Sequence, residues 1–272
     1  MPETMSAVPP NWAARNFNWI AGVSSAVAAF GVLCELGAGF GYRLEMIPLQ
    51  TALLQVLPIG AYIAAGGAAL CLITLILAYT VYKGAFLRPS AAVIVFLIAA
   101  TVAAYLPYSM KNAAAGVPPI HDITTDTEDP PSFIEVLPLR DQTHARNTAS
   151  YDREHSGTRA INVPEAQHKA YPDIKTLTFE GLSPADAYKR ALAAAKQSGW
   201  TIVADRPEEG RIEAWDKTFW FGFIDDVVIR VAATDTGSKI DIRSLSRVGG
   251  SDIGKNAQRI RGYVKTLMSV KG

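Results

Sequence analysis

The sequence predicts a three-helix transmembrane region followed by an α+β domain, an antiparallel sheet with two helices on one face. Three observations carry this. Of the 51 charged residues only 8 lie in residues 1–111, leaving 43 for residues 112–272, the division expected of a membrane part joined to a water-exposed part. Within the first part, three apolar runs reach the roughly 20 helical residues needed to cross about 30 Å of hydrocarbon. In the second, alternating strands bounded by turn residues are interleaved with two segments of helical period.

Residues 1–16 are read as a cytoplasmic tail and residues 17–110 as three spans, about 17–41, 57–82 and 91–108. The first is too long for the core of a cleaved signal peptide and lacks its basic leader, so it is read as retained. Cys34 follows Gly31-Val32-Leu33, but Leu33 is too bulky for a lipoprotein cleavage site. Cys34 and Cys71 are therefore read as small hydrophobes within the spans. Residues 83–89 make a tight connector between the second and third spans. Arg15, Lys83 and Arg88 fall on one side of the bilayer, Arg43 and Lys111 on the other. The excess of basic residues marks the cytoplasmic side, which sends the domain to the periplasm of a multi-pass inner-membrane protein.

Glu35 is the one ionisable residue inside a span, and such residues are functional candidates by default. It lies about 10 Å from the middle of its helix, so its carboxylate is expected to snorkel toward the interface near Arg43 rather than to serve an ion pathway. Gly37 and Gly41, with Gly60/Ala64 and Ala65/Ala69, have the small-residue spacing that lets helices approach closely.

Residues 111–173 read as an extended and irregular linker. Paired prolines at Pro118-Pro119 and Pro130-Pro131 forbid a helix there. His121, Asp122, Asp126, Glu128 and Asp129 supply hard-cation ligand types, but no glycine turn or EF-hand spacing accompanies them, and a solvated acidic strap is the plainer reading. His144, His155 and His168 are spaced too widely for a compact metal motif. No metal or cofactor is expected.

Residues 174–272 are the expected domain. A short strand at 175–180 precedes a helix that Ser183 caps, Pro184 opens and Gly199 ends, burying Tyr188, Ala191, Leu192 and Ala195. Strands follow at 200–205, 210–218, 219–234 and 239–245, with residues 235–238 as the hairpin turn between the last two. Ser251 or Asp252 caps a final helix with Ile253, Ala257, Ile260, Val264 and Leu267 along its buried stripe. Pairing across the turn places Arg243 opposite Arg230, and Arg247 near Asp226 or Asp225.

The chemistry concentrates at one sheet end. Arg243, Arg247 and Arg259 accompany a glycine-rich entry into the final helix, Gly249-Gly250-Ser251, with Asn256 one turn on. Amides and a helix dipole there suit a carboxylate, a phosphate or a lipid headgroup. The competing reading is that Asp225, Asp226 and Asp252 already neutralise those arginines and lock helix to sheet. Ser244, Ser246 and Ser251 are the hydroxyls a serine hydrolase would use, but no histidine is near them in sequence, and no nucleotide loop, zinc motif or nucleophile elbow is present. Phe219-Trp220-Phe221-Gly222-Phe223 reads as core and interface positions of a strand, with contact to the bilayer or a partner as the alternative. With 21 basic and 22 acidic residues after Lys111, the domain has no basic face for nucleic acid.

Three stretches resemble the domain-of-unknown-function 1499 family: residues 222–227, residues 243–249 and residues 251–260. The resemblance covers residues 118–268. It implies a common domain found in bacterial envelope and plastid proteins, and no catalytic residue. The expected protein is a non-enzymatic inner-membrane protein whose domain binds an anionic ligand, a lipid headgroup or a membrane protein partner. A serine-dependent envelope hydrolase and a structural subunit of a membrane complex are the alternatives.

Overall fold

Apolar residues without a polar face force the first third of the chain into long helices, since only a helix satisfies its own backbone hydrogen bonds away from water. The computed structural model describes residues 12–143 and 145–270, so most of the tail and His144 lie outside the described residues. The chain divides into two units, Met1–Met110 and Lys111–Gly272.

In the first unit, α1 (Trp12–Arg43) is followed by a short α2 (Leu49–Thr51), a π-helical segment (Ala52–Val56), α3 (Leu57–Tyr82) and α4 (Leu87–Ala115). Three helices, Trp12–Arg43, Leu49–Tyr82 and Leu87–Ala115, are long and apolar enough to cross a membrane. α1 and α3 meet through small residues: a Cβ on Gly31 would stand 2.3 Å from the Ala64 nitrogen, and one on Gly67 2.5 Å from the Ala28 Cα. Ala28, Ala64 and Cys71 are buried there with Val93, Ala100 and Ala103 of α4. The expected small-residue faces are thus only half right. Gly60 and Ala64 lie in the contact, whereas Ala65 and Ala69 are exposed and a Cβ on Gly37 would meet nothing within 4 Å. Glu35 also departs from expectation. It is 3 % exposed and folded against Gly60, with Oε1 lacking a hydrogen-bond partner among the described residues.

The second unit is built on a six-stranded antiparallel sheet. Its strands are β1 (Asp122–Thr124), β4 (Leu177–Glu180), β5 (Thr201–Arg206), β6 (Arg211–Lys217), β7 (Ile224–Thr234) and β8 (Gly237–Ser246), in the order β1-β8-β7-β6-β5. β4 pairs with the first half of β8's outer edge and β1 with the second half. A separate hairpin joins β2 (His155–Ser156) to β3 (Arg159–Ala160). The helices are α5 (Leu137–Gln142), α6 (Val163–Ala170), α7 (Pro184–Gln197) and α8 (Lys255–Ser269).

α7 begins as its sequence dictates, with the Ser183 hydroxyl accepting the Asp186 N–H at 3.1 Å. α7 and α8 cover one sheet face. Ala187, Tyr188, Ala191, Ala194 and Ala195 of α7 and Ala257, Ile260, Tyr263 and Leu267 of α8 close over Ile212, Val227, Ile229, Ile240 and Ile242. The Tyr263 ring stacks on Trp200 at 5.1 Å.

Three details of the sheet differ from the sequence reading. The β7–β8 turn is tighter than expected, with Thr234 pairing Gly237, so Arg243 faces Val228 and Arg230 faces Asp241. Residues 218–223 are a turn before β7 rather than the start of its strand. Residues 118–172 are not a linker. They contribute β1, the β2–β3 hairpin, α5 and α6; Ile120 and Ile123 are buried in the helix-side core, while Phe133 and Val136 pack on Val228 and Leu245 of the second sheet face. Proline pairs do forbid a long helix there, but an extended chain is free to join a sheet edge, and apolar residues spaced among acids have no period to announce burial.

Candidate functional site

Side chains alternate along a strand, so neighbours on β8 serve opposite faces. Ser244 and Ser246 point toward α8, while Arg243 and Arg247 bond to partners on the far face. The expected cluster is therefore split by the sheet.

On the helix side, Asn256 is fully buried and all its polar atoms are engaged. Its Oδ1 accepts from Ser244 Oγ and from Arg259 Nη1, both at 2.7 Å, and its Nδ2 donates to the His121 carbonyl at 2.9 Å and Ser246 Oγ at 3.0 Å. Arg259 donates to Asp225 at 2.6 Å and to Asp216 at 3.0 Å, which ties α8 to β7 and β6. The entry into α8 passes through two left-handed residues, Ile253 (φ 54°) and Gly254 (φ 76°). For a β-branched residue such a φ is strained. What holds it is Asp252, whose carboxylate accepts the Gly254 N–H at 2.7 Å and the Asn256 N–H at 2.8 Å. Asp252 therefore takes the amides that an external anion would use. Burial, more than its charged neighbours, raises its carboxyl to about 6. Ser251 does less, accepting only the Ile253 N–H at 3.3 Å. Gly249 and Gly250 are exposed, and their carbonyls accept from Asn147 Nδ2 and Ser156 Oγ.

On the far face, Arg243 grips Asp122 through two bonds of 2.9 and 2.7 Å and donates to the carbonyls of Pro131 and Ala149. Its guanidinium also lies over the rings of Phe133 and Tyr151, at 5.0 and 5.5 Å. Arg247 and Arg140 share Asp226, which is fully buried between them. Arg230 bonds Asp126, Asp129 and Asp241, and Arg153 bonds Glu128. The acids that read as cation ligands or a solvated strap are thus arginine partners; Asp122 is buried, whereas Glu128 and Asp129 are exposed.

A second cluster went unread in the sequence. Arg211 contacts Glu135, Glu209 and Glu213, and Glu213 accepts the backbone N–H groups of Ile134 and Val136, each at 2.9 Å. The bond to Arg211 holds Glu135 down at about 2, whereas burial pushes Glu213 up. Glu213 sits mid-strand between apolar neighbours, and that was the available signal: a lone acid in a central strand is buried only when it is bonded.

None of the serines that a hydrolase would need is bonded to a histidine or carboxylate among the described residues. Ser244 and Ser246 are held by Asn256. The buried histidine–serine contact lies elsewhere, between His121 Nδ1 and Ser156 Oγ at 2.7 Å, where burial lowers the imidazole's pKa.

One open space on the helix side is a groove of about 430 Å³ along α8, lined by Ser198, Trp200, Asp216, Lys255, Arg259 and Gly262 among others; another, of about 470 Å³, lies at the start of α7 against Pro207, Gly210 and Val231. Gly262 lies mid-helix, and a Cβ there would meet nothing within 4 Å. A helical glycine costs about 1 kcal/mol relative to alanine, and no contact inside the domain requires this one.

The unit so constructed matches a family model over residues 122–267, described as a protein of unknown function, DUF1499. The chain belongs to the DUF1499 family. The match begins at β1, so the DUF1499 domain includes the strap as well as the sheet and its helices. No curated protein matches the chain.

Proposed function

We propose that this DUF1499 protein is a multi-pass inner-membrane protein whose domain lies on the periplasmic side and acts by binding rather than by catalysis. Orientation rests on Arg15, Lys83 and Arg88 against Arg43 and Lys111. The binding reading rests on one observation, the α8 groove left open by Gly262 with the exposed Lys255 at its N-terminal end, beside an Arg259 already held by Asp216 and Asp225. A ligand bearing an anionic group suits that end, whether free, on a lipid headgroup or on a membrane protein partner. The deeper arginines, Arg243 and Arg247, support the fold instead, since each guanidinium is buried on a carboxylate.

Two measurements test this. An alkaline phosphatase fusion after Lys111 is expected to be active, and activity confined to cytoplasmic reporters overturns the orientation. A photo-reactive residue at Gln258 is expected to crosslink a ligand in cells, and Gly262→Leu, which fills the groove, is expected to abolish both the crosslink and complementation of a deletion strain. A Gly262→Leu protein that complements fully removes the groove as the binding site.

A further inference from the structure

We propose that Glu35 is a proton-binding site that clamps α1 on α3: its neutral acid closes the contact between the two helices, and loss of the proton opens it. Glu35 is 3 % exposed, and its Oε1 has no hydrogen-bond partner among the described residues. Gly60 of α3 leaves the space that Glu35 fills. A Cβ on Gly60 would stand 2.9 Å from Glu35 Cγ, 3.0 Å from the Glu35 nitrogen and 3.1 Å from Cys34 Cβ. The other close approaches of α1 and α3, at Gly31 and Gly67, meet alanines, so this is the one of the three that encloses an acid.

The charges that could pair with it are distant. Along α1 the basic residues are Arg15 and Arg43, and Arg43, the nearer, is about 12 Å farther along the helix axis. Glu45, in the loop after α1, is a like charge. Neither the segment 52–56 nor α3 carries an Asp, Glu, Lys, Arg or His, and α4 has only Arg88 and Lys111, toward its ends. An unpaired carboxylate costs far more to bury than a neutral acid, so a carboxyl without a partner gives up its charge instead. A lone acid is no relay, which needs a chain of exchanging groups, and a hard cation would need several oxygens.

Releasing the proton leaves a charge with nothing to meet it but water, and water reaches it only if α1 and α3 separate at Gly60. Protonation and closure are therefore linked, each favouring the other. The helix carries a place to give at that point. Ala52–Val56, immediately before α3 and packed against α1, is π-helical. Such wide turns are rare and recur at functional sites. Tightening this one into α-helix rotates the start of α3, Gly60 included, relative to Glu35 without breaking the helix. The outcome is a helical unit whose packing follows the supply of protons.

The test is infrared spectroscopy of the full chain in phosphatidylethanolamine–phosphatidylglycerol vesicles, titrated from neutral to alkaline pH. At neutral pH, where exposed carboxyls are ionised, the wild type is expected to show the carbonyl band of a neutral carboxylic acid that Glu35→Gln lacks. Gly60→Ala, which loosens the contact, is expected to lose that band about one pH unit below the wild type, a tenfold fall in proton affinity, and it reads the same band should Glu35→Gln fail to fold. Spin labels at Leu33→Cys and Ile59→Cys, both exposed, with Cys34→Ala and Cys71→Ala, are expected to move apart as the band disappears and to stay in place in Glu35→Gln. A wild type without the band at neutral pH overturns the proposal. Loss of the band that follows sodium rather than pH also overturns it and assigns the site to a cation. Equal titration of wild type and Gly60→Ala, or loss of the band at constant label separation, removes the link to the helix contact. A band that persists at every pH in both proteins overturns it as well, because a carboxyl that never releases its proton is packing alone.

Discussion

At the scale of single residues, Asp252 exchanges favourable solvation for control of a strained backbone. Its carboxyl is raised from 3.8 to about 6 by burial, so the folded state holds a proton that the unfolded chain has lost between those values. Stability then falls as pH rises through that window, and above pH 6 the ionised carboxylate costs about 3 kcal/mol. Asp252→Asn is expected to remove this part of the pH dependence, read as the difference between wild-type and variant unfolding curves from pH 4 to pH 7. Glu213 is also raised by burial, but it serves by holding two backbone amides and Arg211. Glu213→Leu strands the N–H groups of Ile134 and Val136 and one side of Arg211, at a cost on the order of 3 kcal/mol. Denaturant titration measures it. Asp252 was legible as a candidate cap of the final helix, but the partners of Glu213 were not. A carboxylate's worth depends on which backbone amides fold against it, and those of Ile134 and Val136 are 79 and 77 residues away.

At the scale of elements, the alternation of β8 decides what its arginines do. Arg243 and Arg247 were visible as a pair from their spacing, and the Arg247–Asp226 contact from the hairpin register, but Asp122, which holds Arg243, and Arg140, which shares Asp226 with Arg247, come from the strap. Removing one partner of a buried ion pair costs about 3–5 kcal/mol, and a domain holds only about 5–15 kcal/mol in reserve. Arg243→Ala with Arg247→Ala is therefore expected to yield unfolded domain rather than a folded protein with weakened binding, as limited proteolysis would show. In the helical unit, the α1–α3 contact depends on the absence of side chains at Gly31 and Gly67. Gly31→Val is expected to lower stability in detergent by about 1–3 kcal/mol through overpacking, whereas Gly37→Val, with nothing near it, leaves the melting midpoint in place. The small-residue spacing was readable; which of two adjacent stripes faces the neighbour was not, since a helix apolar on all sides has no moment to orient it.

At the scale of the whole molecule, the domain is larger than its regular secondary structure suggests. A fragment of residues 174–272 lacks Ile120, Ile123, Asp122 and the strap over Val228 and Leu245, so it is expected to remain unfolded by circular dichroism, whereas residues 117–272 fold. The sequence alone determined the three long apolar helices, the order β4-α7-β5-β6-β7-β8-α8 and the family, because hydrophobic length, period and capping are local properties that survive without the fold. Only the tertiary structure decided that Phe133 and Val136 pack over the second sheet face and that Arg243, Arg247 and Arg140 are spent on internal acids. Those depend on contacts between residues roughly a hundred positions apart, such as Arg243 with Asp122, and no local pattern encodes which distant acid a buried arginine will meet.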